Sequence, residues 1–241
     1  MIGISIVHYG EDSLLEDCLK TLPAEGNGYS IEIFDCNKVN LGFSRANNIL
    51  IKEFLNEVPN PQQPLIDWVW LLNNDTKVVD GTLGAIRQVL PTLPKDVGVI
   101  GFKILSMANP DLIHHAGTVE CVPSGIHKSG SVRLRQHVKR TAEKWVTFAS
   151  VLIRREVFEQ IGLLDEKMVN YYSDSDFCYR ARYAGFKVIY EPTFVVLHKI
   201  GQSATPSPEQ MKILMRDSFY FQNKYINGKM FHDLDKELVK L

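Results

Sequence analysis

Residues 68–78 read WVWLLNNDTKV, and in them five apolar residues pass directly into two amides, a carboxylate and a hydroxyl. The apolar run reads as a buried strand, and Asn73, Asn74 and Asp75 stand where that strand exits. Working outward, Ile2 to Val7 is a short β-rich run. Ser13 to Leu22 follows with Leu14, Leu15, Cys18, Leu19 and Leu22 at helical spacing. A second strand, YSIEIFD, ends at Asp35; NLGFSRANNILIKEFLNEV then opens on a glycine turn and continues as a helix up to the proline-rich NPQQP. Alternating strands and helices with polar residues at the strand carboxyl ends predict an α/β fold with an open, mostly parallel sheet. Such sheets bind ligands outside those ends. The N-terminal half therefore reads as a nucleotide-binding half.

The second half differs in character. A helix over Gly81 to Leu90 and a strand at VGVIGFKIL precede Ala108 to Lys144, which is rich in His, Gly, Ser and basic residues and reads as loops with short antiparallel strands. KWVTFASVLIRREVFEQIG predicts a strand and a helix. SDSDFCYRARYAGF predicts a further helix closed by Gly185, and KVIYEPTFVVLHK a strand pair broken at Pro192. From Pro208 the pattern is an amphipathic helix with Met211, Leu214, Met215 and Phe219 on one side. It reads first as a helix packed on the domain and second as a membrane-surface contact. The expected organisation is one domain over 1–241, with a nucleotide-binding half (1–100), a second half of different character (101–205) and a helical tail (206–241).

Composition removes several classes. With 241 residues, 45% hydrophobic and 23% charged, the chain suits a globular domain, and a net charge of -1 supplies no basic field for nucleic acid. No apolar run reaches the roughly 18 residues of a spanning helix, and the N-terminus lacks a basic n-region. Cys18, Cys36, Cys121 and Cys178 lie far apart with no CxxC pair, which fits a reducing compartment. A cytoplasmic protein, at most attached to the inner face of a membrane, is expected.

Three polar clusters carry candidate chemistry. Asp75 stands where a carboxylate can ligate a hard cation, although NNDT would equally cap the turn into the next helix. In NYYSDSDFCYRARYAG, Asp174 and Asp176 open a helix; Asp176 can pair with Arg180 four residues on, leaving Asp174 as a free carboxylate and candidate general base. His198 ends a strand ahead of a Gly, Ser and Pro-rich segment and could share a metal with Asp75.

In order and setting these clusters resemble the inverting family 2 glycosyltransferases of GT-A fold, and especially their rhamnosyltransferase-like branch in bacterial surface polysaccharide synthesis. The matching stretches are ISIVHYG, EDSLLEDCLKTL, NLGFSRANNILI, WVWLLNNDT, VTFASVLIRREVFEQIGLLDE, YYSDSDFCYRARYAGFKVIYEP and VVLHKIGQS. The resemblance implies a dTDP- or UDP-sugar donor, a divalent metal (Mg or Mn) and inverting transfer to a hydroxyl of a saccharide or lipid-linked saccharide. It implies Asp174 as base and Asp75 and His198 as metal ligands. It implies His8, Tyr9, Asp35, Asn40, Gly42, Arg45, Asn47, Asn73 and Asn74 at the donor, with His127, Tyr172 and Asp176 at the acceptor.

The chain departs from the family pattern in three places. His8, Tyr9 and Gly10 replace the usual NYN, Ser173 replaces the acid before Asp174, and four residues separate Asp35 from Asn40 where a longer insert is common. His114, His115 and His127 match no standard metal spacing and suit sugar-contacting loops. A catalytically silent nucleotide-sugar or carbohydrate binding module is the alternative, and a nucleotidyltransferase ranks last because HYGEDS is not a glycine-rich phosphate loop.

Overall fold

Strand β1 (Ile2–His8) is the frame on which the N-terminal half assembles. The structure is a computed structural model that describes residues 1–24, 27–56, 65–118, 126–199 and 207–225. Helix α1 (Asp12–Leu19), strand β2 (Tyr29–Asp35), helix α2 (Gly42–Asn56) and strand β3 (Trp68–Asn73) follow, and β1 pairs in parallel with both β2 and β3. The register sets His8 opposite Asp35 and Val7 opposite Asn73, so three polar residues leave the sheet at one edge.

The chain then makes β4 (Thr76–Val78), α3 (Thr82–Val89), β5 (Val97–Ser106), β6 (Leu112–His115), β7 (Gly130–Ser131), β8 (Thr141–Ala142) and β9 (Ser150–Arg154). It finishes with α4 (Arg155–Ile161), α5 (Ser173–Tyr183), β10 (Lys187–His198) and α6 (Pro208–Tyr225). The main path of the sheet is β2-β1-β3-β9-β5-β10-β4. β9 runs antiparallel to β3 and β5, and β4 antiparallel to β10, so five of these seven strands share one direction. Because β9 runs backwards, its first residue, Ser150, pairs with Leu72, which delivers the preceding loop to the same edge as Asn73.

Helices cover both faces, which is why WVWLL is buried throughout. Val69 and Leu71 join one core with Leu50, Ile51 and Phe54 of α2 and Val157 and Phe158 of α4. Trp68, Trp70 and Leu72 join the other with Cys18 of α1 and Ile86 of α3, and Trp70 stacks on Phe102 with centroids 5.1 Å apart. Each fully buried side chain of this size is worth about 1.5–3 kcal/mol. Gly3 lets α2 lie directly on β1, since a Cβ there would sit 2.8 Å from the Phe54 ring.

Three expectations are corrected. The strand pair expected around Pro192 is one strand, β10, with a register shift between Glu191 and Val195 that loops out the proline, which has no N–H for the ladder. Thr76–Val78, read as part of a turn, is a strand, and it pairs Thr76 with His198. Helix α6 packs on the domain, but through Asp217, Phe221 and Tyr225; Met215 and Phe219 of the expected apolar stripe are 66% and 69% exposed. No helix among the described residues is long and apolar enough to cross a membrane. Cys18, Cys36 and Cys178 are buried and form no disulfide. The segments 200–206 and 226–241, which include the expected Gly- and Ser-rich loop and the end of the tail, lie outside the described residues, as does Cys121.

Candidate active site

At the carboxyl edge of the sheet a cavity of about 240 Å³ is lined by Asn73, Thr147, Phe148, Ala149, Asn170, Tyr172, Asp174 and His198 among others. Asp174 is the one carboxylate among its described lining residues. It lies in the first turn of α5, where the Ser175 N–H donates to its Oδ1 at 2.8 Å. Burial pushes its carboxyl up to about 6, against the pull of that N–H and of the Phe148 backbone. A carboxylate held there is ionised at neutral pH and still basic enough to accept a proton.

Opposite it, β10 delivers His198 and the turn after β3 delivers Asp75. His198 Nε2 lies 3.0 Å from Asp75 Oδ1, but the approach lacks hydrogen-bond direction, and this buried oxygen accepts no hydrogen bond. An orphaned carboxylate oxygen beside an imidazole nitrogen suits a divalent cation that takes its remaining ligands from phosphate oxygens and water. Among the described residues no cluster of three His, Cys, Asp or Glu side chains could hold a metal unaided.

The donor-side residues divide into scaffold and surface. His8 is buried. Its Nδ1 lies 3.1 Å from the Asn74 amide nitrogen, and its Nε2 lies 2.9 Å from Asp12 Oδ1 and 3.0 Å from the Asn37 amide nitrogen. Asn74 also donates to the Tyr9 carbonyl, so His8 and Asn74 brace the turn that presents Tyr9, which is 61% exposed. Asp35 accepts from the Asn37 N–H and lies 3.2 Å from Lys38 Nζ; against a burial effect that would raise it, these hold its carboxyl below the usual value.

Asn40 caps the α2 entry by accepting the Gly42 N–H. Gly42 has φ +74°, and a Cβ there would collide with the Val169 side chain. Arg45 is exposed on α2, 3.9 Å from Glu166. Asn47, expected at the donor, is turned inward: it accepts from Ser5 Oγ and donates to the Phe43 carbonyl, tying α2 to β1. Asn73 remains in the cavity wall.

The acceptor-side residues divide in the same way. Tyr172 lines the cavity at φ +65°. Asp176, expected at the acceptor, is fully buried; Arg180, Lys224 and Tyr225 surround its carboxylate, which makes it a scaffold residue of α5. His127 lies on an exposed bridge with its Nδ1 2.7 Å from Nδ1 of the fully buried His115. His115 Nε2 accepts the Thr147 N–H, so its proton sits on Nδ1 and is donated to His127 Nδ1, which leaves the His127 proton on Nε2. Burial and the neighbouring His198 hold His114 below the ordinary imidazole value. Thr147, Phe148, Ala149 and Asn170 were not singled out in the sequence. Nothing in VTFAS marks a loop, and only the reversed direction of β9 brings it to the site.

A family model described as "Glycosyltransferase like family 2" matches residues 40–218, a span that holds Asp75, Asp174 and His198. The chain belongs to that family. An N-acetylglucosaminyl-diphospho-decaprenol L-rhamnosyltransferase of Mycobacterium tuberculosis is 26% identical over 182 residues, covering 70% of this chain and 59% of the relative. The chain thus spans about three fifths of that relative's length. The fold is that of GT-A glycosyltransferases. S. aureus TarS superposes with a TM-score of 0.57 at 12% identity, over 95% of this chain and 40% of TarS. GalNAc-T7, solved with UDP, GalNAc and Mn2+, superposes with a TM-score of 0.55 at 16% identity, over 82% of this chain and 43% of its own. In this family 2 chain the carboxyl edge of the sheet is therefore where the polar residues from both halves meet.

Proposed function

We propose that the chain is an inverting glycosyltransferase that moves a hexose, rhamnose-like, from a dTDP- or UDP-linked donor to a hydroxyl of a saccharide or lipid-linked saccharide during polysaccharide synthesis. The observation that carries this reading is Asp174, a single carboxyl held near 6 in the cavity that His198 and Asn73 also line. Residues 1–100 hold the donor and 101–205 supply the base and the acceptor surface. The rhamnosyl and lipid-linked details draw support from the printed name of the mycobacterial relative.

In the reaction Asp174 takes the proton of the acceptor hydroxyl as that oxygen forms its bond to the anomeric carbon. The bond from that carbon to the diphosphate oxygen breaks, and the nucleoside diphosphate leaves. One carboxylate suffices because no covalent sugar intermediate forms. Tyr9 is free to lie against the nucleobase, and Arg45 to approach a phosphate. A divalent cation held by Asp75 Oδ1 and His198 Nε2 would supply positive charge at the diphosphate; the manganese found with GalNAc-T7 supports this assignment. His127 offers Nε2–H to the acceptor sugar. A peripheral contact of the chain with the membrane surface would bring a lipid-linked acceptor to this edge.

The test is Asp174→Asn in the full chain, assayed with dTDP- and UDP-sugars. Transfer should fall by about 10²–10⁴, while calorimetric affinity for UDP or dTDP stays within a few-fold. Undiminished transfer would remove Asp174 from the role of base. Nucleotide binding by the wild type without turnover of any acceptor would support a silent binding module.

A further inference from the structure

We propose that Asp217, on the C-terminal helix α6, is a positioning residue that holds the turn carrying the base and ties it to the donor side. The inference rests on the assignment of Asp174 as base. Asp217 is fully buried, and its Oδ2 accepts the N–H groups of two successive residues, Asn170 at 2.9 Å and Tyr171 at 3.1 Å. Its other oxygen receives the Arg216 guanidinium at 2.8 Å. A buried carboxylate that accepts two adjacent backbone donors restrains that backbone, because a rearrangement would strip two hydrogen bonds from a buried charge.

The turn so held is an unusual one. Tyr172 follows at φ +65°, a left-handed conformation that a tyrosine adopts only when its surroundings impose it, and it is the N-cap of α5. α6 supplies part of that imposition directly, since the Phe221 ring stacks on the Tyr172 ring with centroids 5.1 Å apart and planes 26° from parallel. Asp174 is two residues beyond. On its other side Asn170 passes the restraint on: its side-chain oxygen accepts the Phe43 N–H at 3.0 Å, and the Val169 carbonyl accepts the Ser44 N–H. Phe43, Asn170, Tyr171, Tyr172 and Asp174 all line the cavity. One carboxylate outside the cavity thus connects α6, the turn before the base, and the first turn of α2.

α6 also has anchors away from this turn. Tyr220 and Lys224 bind Asp165, and Lys224 and Tyr225 bind Asp176, so the helix is anchored independently of Asp217. That separation makes the proposal testable, because Asp217 can be altered while the helix stays docked.

The experiment compares full-length wild type, Asp217→Ala, Asp217→Asn and the control Tyr220→Phe. Hydrogen exchange is followed at the amides of Asn170 and Tyr171, and the Asp174 carboxyl is titrated by ¹³C NMR. In Asp217→Ala the two amides should exchange about a hundredfold faster, with α5 and the central strands unchanged. The Asp174 titration midpoint should move down as water enters the turn. The asparagine side chain retains an oxygen that can accept both N–H groups, with the exposed Arg216 swinging aside, so Asp217→Asn should restore most of the protection. Tyr220→Phe should change neither signal. Unchanged exchange at 170–171 in the alanine variant would overturn the proposal. So would a loss of protection spread evenly over the domain, which would mark Asp217 as ordinary core. Neither readout needs a substrate, so the clamp can be refuted or upheld whatever the fate of the glycosyltransferase reading; where transfer is measured, kcat should fall with UDP or dTDP affinity preserved.

Discussion

Replacing Asp174 by asparagine should make the protein more stable while disabling it. Burial raises this carboxyl from 3.8 to about 6, and each pH unit of displacement corresponds to 1.36 kcal/mol. The roughly two units convert to about 3 kcal/mol by which the ionised side chain disfavours the native state. The sign follows from linkage. A carboxyl whose native pKa is raised favours folding while protonated, so its contribution is best below 3.8 and is lost as the pH rises through about 6. At pH 8 the full cost is present, and a neutral isostere removes it. Asparagine keeps an oxygen to accept the Ser175 N–H, so no cap is sacrificed. Because the cavity admits water, the observable gain is set at about 1–3 kcal/mol, and for a chain of this size each kcal/mol moves Tm by about 2–4 °C.

The assay is urea unfolding of wild type and Asp174→Asn from pH 4 to pH 8, reading the difference in free energy at each pH. That difference, in which every other titrating group cancels, should be small near pH 4, grow between about pH 4 and 6 and level off at higher pH. A flat difference, or a less stable variant at pH 8, would refute the claim that this carboxyl sits in a site costly to its charge.

Three further outcomes are expected. The pH dependence of kcat/KM should show an acid limb near 6, with activity falling as Asp174 is protonated; a limb near 4 would mean that an exposed carboxylate supplies the base. Asp75→Asn should abolish the effect of Mn2+ or Mg2+ on nucleotide affinity measured by calorimetry with and without chelator, and a metal response that survives would exclude the orphaned Oδ1 as ligand. Gly42→Ala should cost roughly 2–4 kcal/mol in chemical unfolding, from the positive φ and the collision with Val169; a cost under about 0.5 kcal/mol would show that the 169–170 turn yields freely.

What could be read from the residues, and what could not, follows from how each signal is encoded. The N-terminal strand and helix order was legible because each element carries its own period and ends on a polar residue, as at Asp35 and Asn73. Asp174 was separable from Asp176 by the i,i+4 pairing with Arg180, which the structure contains at 2.8 Å. Asn47 was assigned to the donor on its place in a motif, although its helical period already pointed inward: Phe43, Asn47, Leu50 and Phe54 share a face, and Asn47 and Phe54 both meet β1. A polar residue on an apolar stripe is a scaffold candidate before it is a ligand contact.

Helix α6 makes the same point more sharply. Two stripes at the same spacing compete there, Met211, Met215 and Phe219 against Asp217, Phe221 and Tyr225, and hydrophobicity alone selects the first. The structure buries the second. Asp217 hides that face in the sequence because it is charged, and it is buried because it has a task, to accept the two N–H groups of the turn before the base. The residue that makes the helix illegible is therefore the one that joins it to the site. An aspartate interrupting an otherwise good buried face near a candidate base is best read as a restraint on backbone that the sequence places elsewhere.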